Sequence, residues 1–297
     1  MSTYGLEVQP VSPFRLPGYS SEDRTMRVRD GVLSRLLRVD GSPVLVRAWE
    51  PGRDRVALRA ESVDPAAVSP RLDVRPAGAA QLRLAVERMR FALGVDDDLT
   101  DLYRRFRRDP LLGPLLRRRP WLRPRRRPWA WEALAWAVVK QLIESERAAV
   151  IQRRIVGRWG ARLGGEREAL RDVPGAGTIA GRAPAELASM DLSPSRSLAL
   201  RAVAREIAAG HCDPADPGAD RRLLAVPEIG PWTVQCLGLF GRGDPDSLPA
   251  GDLIYLKLVG RLARLGRRAT VEEVEEFYAP YAPFRGLAGL WTIGLYR

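Results

Sequence analysis

Cysteine, lysine and histidine are nearly absent from this 297-residue chain, which has two cysteines, two lysines and one histidine. Cys212 and Cys236 are too few for a disulfide framework, and with no CxxC and no histidine cluster nearby they form no metal-ligand pattern. His211, in a Gly-His-Cys-Asp-Pro loop, has no partner in sequence and reads as structural. No apolar run approaches the roughly 18 residues of a membrane span. The N-terminal MSTYGLEVQP lacks the basic and then apolar segments of a signal peptide, so a cytoplasmic protein is expected. Chemistry through an amine is restricted to Lys140, Lys257 and the N-terminus.

What is abundant is arginine. With two lysines among 48 basic residues, 46 are arginine, and the net charge is +12. Such a surplus favours polyanionic partners, because each guanidinium near a phosphate releases a condensed counterion. Charge alone does not separate nucleic acid from an acidic membrane surface. Apolar residues at 45% supply a sizeable core for one large domain or two ordinary ones.

Two regimes of patterning follow each other along the chain. From about Pro13 to Glu61, β-forming stretches such as VLSRLLRVDG and RVALRAES cluster around Asp-Gly and Pro-Gly turns, which predicts a small antiparallel sheet. After a Pro- and Ala-rich link, AAQLRLAVERMRFALG shows apolar residues at helical spacing, and the remainder reads as almost wholly helical. The expected fold is therefore mainly α with a small N-terminal antiparallel β-sheet domain. Residues 1–80 are taken as the β domain with its linker and 81–297 as the helical body. Within that body RRFRRDPLLGPLLRRRPWLRPRRRPW, at 104–129, carries eleven arginines among prolines. It reads either as a solvated surface or as a face that tracks a phosphate backbone.

The stretch LLAVPEIGPWTVQCL, 223–237, is the most telling. A proline ends one apolar run, Gly230 supplies the positive φ that a tight turn demands, and a second apolar run follows. Amides opening the second helix are then free to bind phosphate. An αα-hairpin with a purely structural role shows the same outline. Asp252 lies 22 residues beyond Gly230 and opens the helix DLIYLKLVGRLARLG. Alone it is an ordinary N-cap; beside the hairpin it is a candidate catalytic carboxylate.

Helix, Pro-x-apolar-Gly hairpin (about 219–237), helix, Gly/Pro-rich loop and aspartate together resemble the helix-hairpin-helix DNA glycosylases, and within them bacterial 3-methyladenine DNA glycosylase II. RPWLRPRRRPWAWEALAWAVVKQLIE, LSPSRSLALRAVAREIAAG and the terminal APFRGLAGLWTIGLYR are similar to family segments in the same order, so the likeness covers about 85–297. The resemblance implies a monofunctional enzyme that removes alkylated purines from duplex DNA in base excision repair, as a monomer without an organic cofactor. Its catalytic residue would be Asp252. The base pocket would be formed by Trp232, Trp291, Gln141 and Cys236. Leu142 would fill the space left by the extruded nucleotide, and Pro227, Glu228, Gly230 and Thr233 of the hairpin would approach the DNA. A structural sodium or potassium ion would be held by the carbonyls of Leu224, Val226 and Ile229.

The departures from the family pattern are equally specific. Glu228 stands at a position that is usually glycine, and Cys236 where an aromatic residue commonly lines the pocket. Trp232 occupies the place of the bifunctional branch's Schiff-base lysine, and a tryptophan cannot form an imine. No four-cysteine cluster follows the hairpin, which disfavours the iron–sulfur branch. Two alternatives stay open: a DNA-binding protein that kept the hairpin and lost catalysis, and a glycosylase for oxidised or deaminated bases.

Overall fold

The structure, a computed structural model, describes residues 2–69, 75–165 and 169–295. Strands β1 (Thr3–Val8), β2 (Met26–Arg29), β3 (Val32–Val39), β4 (Ser42–Gly52) and β5 (Arg55–Ser62) form an antiparallel sheet in the order β1-β5-β4-β3-β2. The Asp-Gly pairs 30–31 and 40–41 take positive φ at both positions, as two-residue hairpin turns require. Strand β1 precedes the stretch expected to be β. It is a half-exposed edge strand of six residues, too short to show against its surroundings.

Helix α1 (Ala79–Leu93) follows the linker, yet its Leu82, Val86 and Met89 pack on Leu37, Val46 and Leu58 of the sheet. Residue 80 thus marks a change of secondary structure, while the hydrophobic core runs across it. Next come α2 (Thr100–Phe106) and α3 (Leu112–Arg118), then an irregular stretch to 129. Helix α4 (Ala130–Lys140) is the axis of the body, with every residue from Trp131 to Val139 buried. The helices α5 (Ser145–Trp159), α6 (Ala176–Ala180), α7 (Pro184–Ala188) and α8 (Pro194–Ala208) pack around it. The hairpin helices are α9 (Asp220–Leu224) and α10 (Pro231–Leu237); a second lobe is built from α11 (Leu253–Leu262), α12 (Val271–Tyr278) and α13 (Arg285–Ile293). No described helix is long and apolar enough to cross a membrane.

Of the eleven arginines in the 104–129 segment, Arg123, Arg126 and Arg127 turn inward and the other eight are exposed. Arg126 pairs with Asp97, Arg123 donates to the carbonyls of Gly94, Leu122 and Pro13, and Arg127 pairs with Asp23 at 2.5 Å. Asp23 is 0% exposed and also accepts from Trp136 Nε1 at 2.9 Å. Burial alone would raise this carboxyl, but Arg127, Arg35 and the Ser21 hydroxyl hold it well below the usual range. A depressed folded-state pKa adds stability above the unfolded value of about 3.9, and that contribution is lost as pH falls below it. Asp23→Asn is therefore expected to destabilise the protein by about 1–3 kcal/mol at pH 7. Denaturant titrations should show the gap to wild type narrowing below about pH 4.

Candidate active site

A cleft of about 380 Å³ opens where α4, α10, α13 and the irregular arginine-rich stretch converge. Ala133, Ala137 and Lys140 line it from α4, Trp232 and Cys236 from α10, and Leu290 and Ile293 from α13. The small alanines of α4 leave the volume that bulkier residues would fill. After α10 the chain makes one wide turn, Gly238–Arg242, which aims Phe240 at the cleft while the Phe240 carbonyl accepts the Arg127 N–H at 2.8 Å.

Asp252 is the N-cap of α11 and meets the cleft through Trp232. Its Oδ1 accepts the Ile254 N–H at 3.0 Å and its Oδ2 accepts Trp232 Nε1 at 3.3 Å. The loop that carries it is pinned to α13: Arg285 grips Asp246 with Nε at 2.9 Å and Nη2 at 2.5 Å, and Leu287 N–H donates to the Pro245 carbonyl at 3.0 Å. The carboxylate is thus fixed by two donors and remains partly solvent-accessible. Such a group suits stabilisation of positive charge on a substrate at the cleft mouth.

The hairpin corrects one expectation. Gly230 has φ −107° and ψ 178°, an extended N-cap that needs no glycine, and a Cβ there would meet nothing within 4 Å. The left-handed residue of the turn is Glu228, with φ 68°. A glutamate at this φ costs about 1–2 kcal/mol relative to glycine. Pro227 and Glu228 are exposed, Leu224 is 45% exposed, and Val226 and Ile229 pack into the core beneath the turn.

Gln141, the C-cap of α4, clamps this turn. Its Nε2 donates to the Glu228 carbonyl at 2.8 Å and to Thr233 Oγ1 at 3.0 Å, so the end of α4 and the start of α10 are fixed to each other. It does not line the cleft. The next residue, Leu142, has φ 54° and is 103% exposed. A fully exposed leucine in left-handed backbone combines two unfavourable features at one position, and such residues concentrate at functional sites.

Trp291 is also corrected. It is 2% exposed in the core of the second lobe, and its Nε1 donates to the Arg119 carbonyl at 3.3 Å. On α13 the cleft faces are Leu290, Ile293 and Gly294, and position 291 points a quarter-turn away. Cys236 does line the cleft, where burial pushes its thiol well above the usual range, with Asp252 adding to the rise. Reading the sequence missed Lys140 and the N-terminal Tyr19 and Glu22 as cleft residues.

The architecture has a counterpart among solved structures. The 3-methyladenine DNA glycosylase from Archaeoglobus fulgidus aligns with a TM-score of 0.79 at 20% identity, covering 98% of this chain and 97% of that one. The fold is that of the helix-hairpin-helix DNA glycosylases. In sequence the chain is 26% identical over 184 residues to the DNA-3-methyladenine glycosylase of Bacillus subtilis, covering 60% of this chain and 61% of that one. It is 29% identical over 178 residues to the probable bifunctional transcriptional activator/DNA repair enzyme AlkA of Mycobacterium tuberculosis, covering 58% of this chain and 35% of that one. The chain thus spans less than two thirds of the length of these curated relatives. No protein-family model matches it. The chain thus shares the fold of the helix-hairpin-helix DNA glycosylases, and its relatives in sequence are named as a DNA-3-methyladenine glycosylase and a probable transcriptional activator/DNA repair enzyme.

Proposed function

We propose that this protein is a monofunctional DNA glycosylase that removes alkylated purines from duplex DNA. The observation that carries the reading is Asp252, held by the Ile254 amide and by the indole of Trp232, which itself lines a base-sized cleft. The hairpin amides approach a backbone phosphate. Leu142 enters the duplex and fills the gap left by the extruded nucleotide. Gln141 keeps the wedge and the hairpin in fixed register. The extruded base stacks on Trp232, with its sugar next to Asp252. As the glycosidic bond lengthens, positive charge grows on the sugar, and the Asp252 carboxylate stabilises it and orients the attacking water.

The same reading includes a structural alkali ion at the hairpin turn. The carbonyls of Leu224, Val226 and Ile229 would hold sodium or potassium, since neutral carbonyl oxygens without a carboxylate suit a monovalent cation. The Val226 carbonyl accepts the Ile229 N–H at 3.1 Å and keeps a second lone pair. Such an ion would supply positive charge at the turn for a DNA phosphate.

The test is base release by the purified chain from duplexes carrying single lesions, including 7-methylguanine and ethenoadenine, against undamaged duplex. The expected product is an intact abasic strand that breaks only after alkali. Efficient borohydride trapping of a protein–DNA adduct would overturn the monofunctional reading, and release of no base would overturn the enzyme itself.

Glu228 supplies a second check. Glu228→Gly removes both a like charge near the phosphate and the left-handed strain, so DNA binding should tighten about two- to tenfold and unfolding should cost about 1 kcal/mol more. Glu228→Gln removes only the charge and should gain affinity at low salt without gaining stability. Unchanged affinity of both variants at every salt concentration would mean that the turn lies away from the phosphates.

A further inference from the structure

The two helices that wall the cleft, α4 and α10, run antiparallel in a register pinned at both ends. At one end Gln141 Nε2 donates to Thr233 Oγ1 at 3.0 Å. At the other, Gly241 lies so close to α4 that a Cβ on it would come within 2.8 Å of the Ala133 Cβ and 3.3 Å of the Ala130 Cα. Counting inward from these two contacts puts Ala137 of α4 and Cys236 of α10 at the same level, and both line the cleft. The middle of the cleft is therefore walled by small side chains from both helices.

Along α10 the cleft residues are spaced by four: Trp232, Cys236 and, in the wide turn that follows, Phe240. That turn is packed in place. A Cβ on Gly238 would overlap the Ser247 hydroxyl, and the Phe240 carbonyl accepts the Arg127 N–H at 2.8 Å. The Phe240 ring rests against the cores of both lobes. One stripe thus reads aromatic, small, aromatic, with a notch at Cys236 and Ala137 between the two rings.

The direction of this stripe is fixed by Asp252, whose Oδ2 accepts Trp232 Nε1 at 3.3 Å. Trp232 marks the sugar end and Phe240 the inner end, about 12 Å further along the axis. A purine stacked on Trp232 with its sugar at Asp252 points its Watson–Crick edge inward, because that edge lies opposite the glycosidic nitrogen. It meets the notch and then the ring of Phe240. An aromatic side chain at 236 would close the pocket about 6 Å sooner.

We propose that the notch formed by Cys236 and Ala137, floored by Phe240, is a specificity-determining subsite for purines lengthened at the Watson–Crick edge by a fused ring or a bulky alkyl group. This rests on the glycosylase reading and extends its substrate class beyond simple N-methyl purines, which the cleft also admits. The bridge of ethenoadenine spans N1 and N6 and lengthens the base along the axis of the stripe. A methyl group at N3 or N7 sits on the flank and leaves the notch empty. The added ring fills the space between the small side chains and meets the face or edge of Phe240.

Single-turnover base release from otherwise identical duplexes holding ethenoadenine or 7-methylguanine tests this. Cys236→Tyr and Ala137→Leu fill the notch from different helices, and Phe240→Leu removes the ring beneath it. Each filling variant is expected to raise the ratio of 7-methylguanine to ethenoadenine rates by at least about tenfold, the discrimination that one misfitting group gives in an apolar pocket. Phe240→Leu should raise the same ratio about threefold, through loss of one aromatic contact. Affinity for a duplex with an abasic site, which places no base in the cleft, separates pocket size from loss of the fold and should stay within about twofold. Either filling variant that keeps this affinity suffices for the test. An unchanged ratio in such a variant, or equal losses on both lesions, would overturn the inference and leave the glycosylase reading standing. Wild type that releases neither lesion nor any other base would overturn both.

Discussion

Asp252→Asn is expected to slow single-turnover base release by at least about a hundredfold, about 2.7 kcal/mol of transition-state stabilisation, while DNA affinity stays within about twofold of wild type. The asymmetry follows from what the carboxylate does. It caps α11 and accepts from the Trp232 indole, while the exposed residues of the turn are Pro227 and Glu228, so it contributes little to holding the phosphates. Its charge matters only once the sugar becomes cationic. Asparagine keeps the N-cap acceptor for the Ile254 amide, now made by Oδ1 at 3.0 Å, and it is itself a preferred N-cap. The variant should therefore fold normally, and its melting temperature serves as the control. An Asp252→Asn protein with a wild-type rate would remove Asp252 from the catalytic step and return it to a helix cap.

The parts of this site legible in the sequence are those set by local chemistry. A proline between two apolar runs marks a hairpin, an Asp before an apolar periodic stretch marks a cap, and Ser193 before Pro194 marks the start of α8. The sheet was legible through its Asp-Gly turns, and α4 and α5 through apolar spacing closed by Gly160. What escaped depends on rotation and on contacts distant in sequence. Trp291 and Leu290 are neighbours in sequence, but 100° of helix turn puts one in the core and the other in the cleft. The turn's positive φ was given to its glycine, yet the chain puts a glutamate there, a locally disfavoured choice that no propensity rule anticipates. Lys140 had a signal in its rarity and in its place directly before Gln141. Its place on the cleft wall, however, depends on α10, α13 and the irregular arginine-rich stretch, which meet α4 only through the tertiary fold.

The sheet is clasped to the helical body by a buried ion pair, and cutting one side of it is expected to cost the most stability of any single change considered. Arg35 on β3 and Glu132 on α4 meet at 2.6 Å with side chains 3% and 2% exposed. Burial pushes the Glu132 carboxyl up against the pull of Arg35, while Glu132, Asp172 and Asp23 together hold Arg35 above its usual range, and both charges lose their hydration on entering the interior. Arg35 Nε and Glu132 Oε1 also lack hydrogen-bond partners among the described residues. The pair is therefore a poor source of net stability, yet each partner is indispensable while the other remains. Glu132→Leu should lower the unfolding free energy by about 3–5 kcal/mol, because it strands the Arg35 guanidinium in a dry interior. In the double variant Arg35→Met/Glu132→Leu no charge is stranded: Asp23 keeps Arg127 at 2.5 Å and Asp172 keeps Arg38 at 3.2 Å. That protein should recover to within about 1 kcal/mol of wild type or exceed it. Urea titrations of the three proteins and Arg35→Met close the cycle. A Glu132→Leu cost below about 1 kcal/mol would mean that water reaches Arg35 and that the clasp is not dry. A double variant as unstable as the single would mean instead that the sheet is held to α4 by the charges themselves, with the apolar surface around them contributing little.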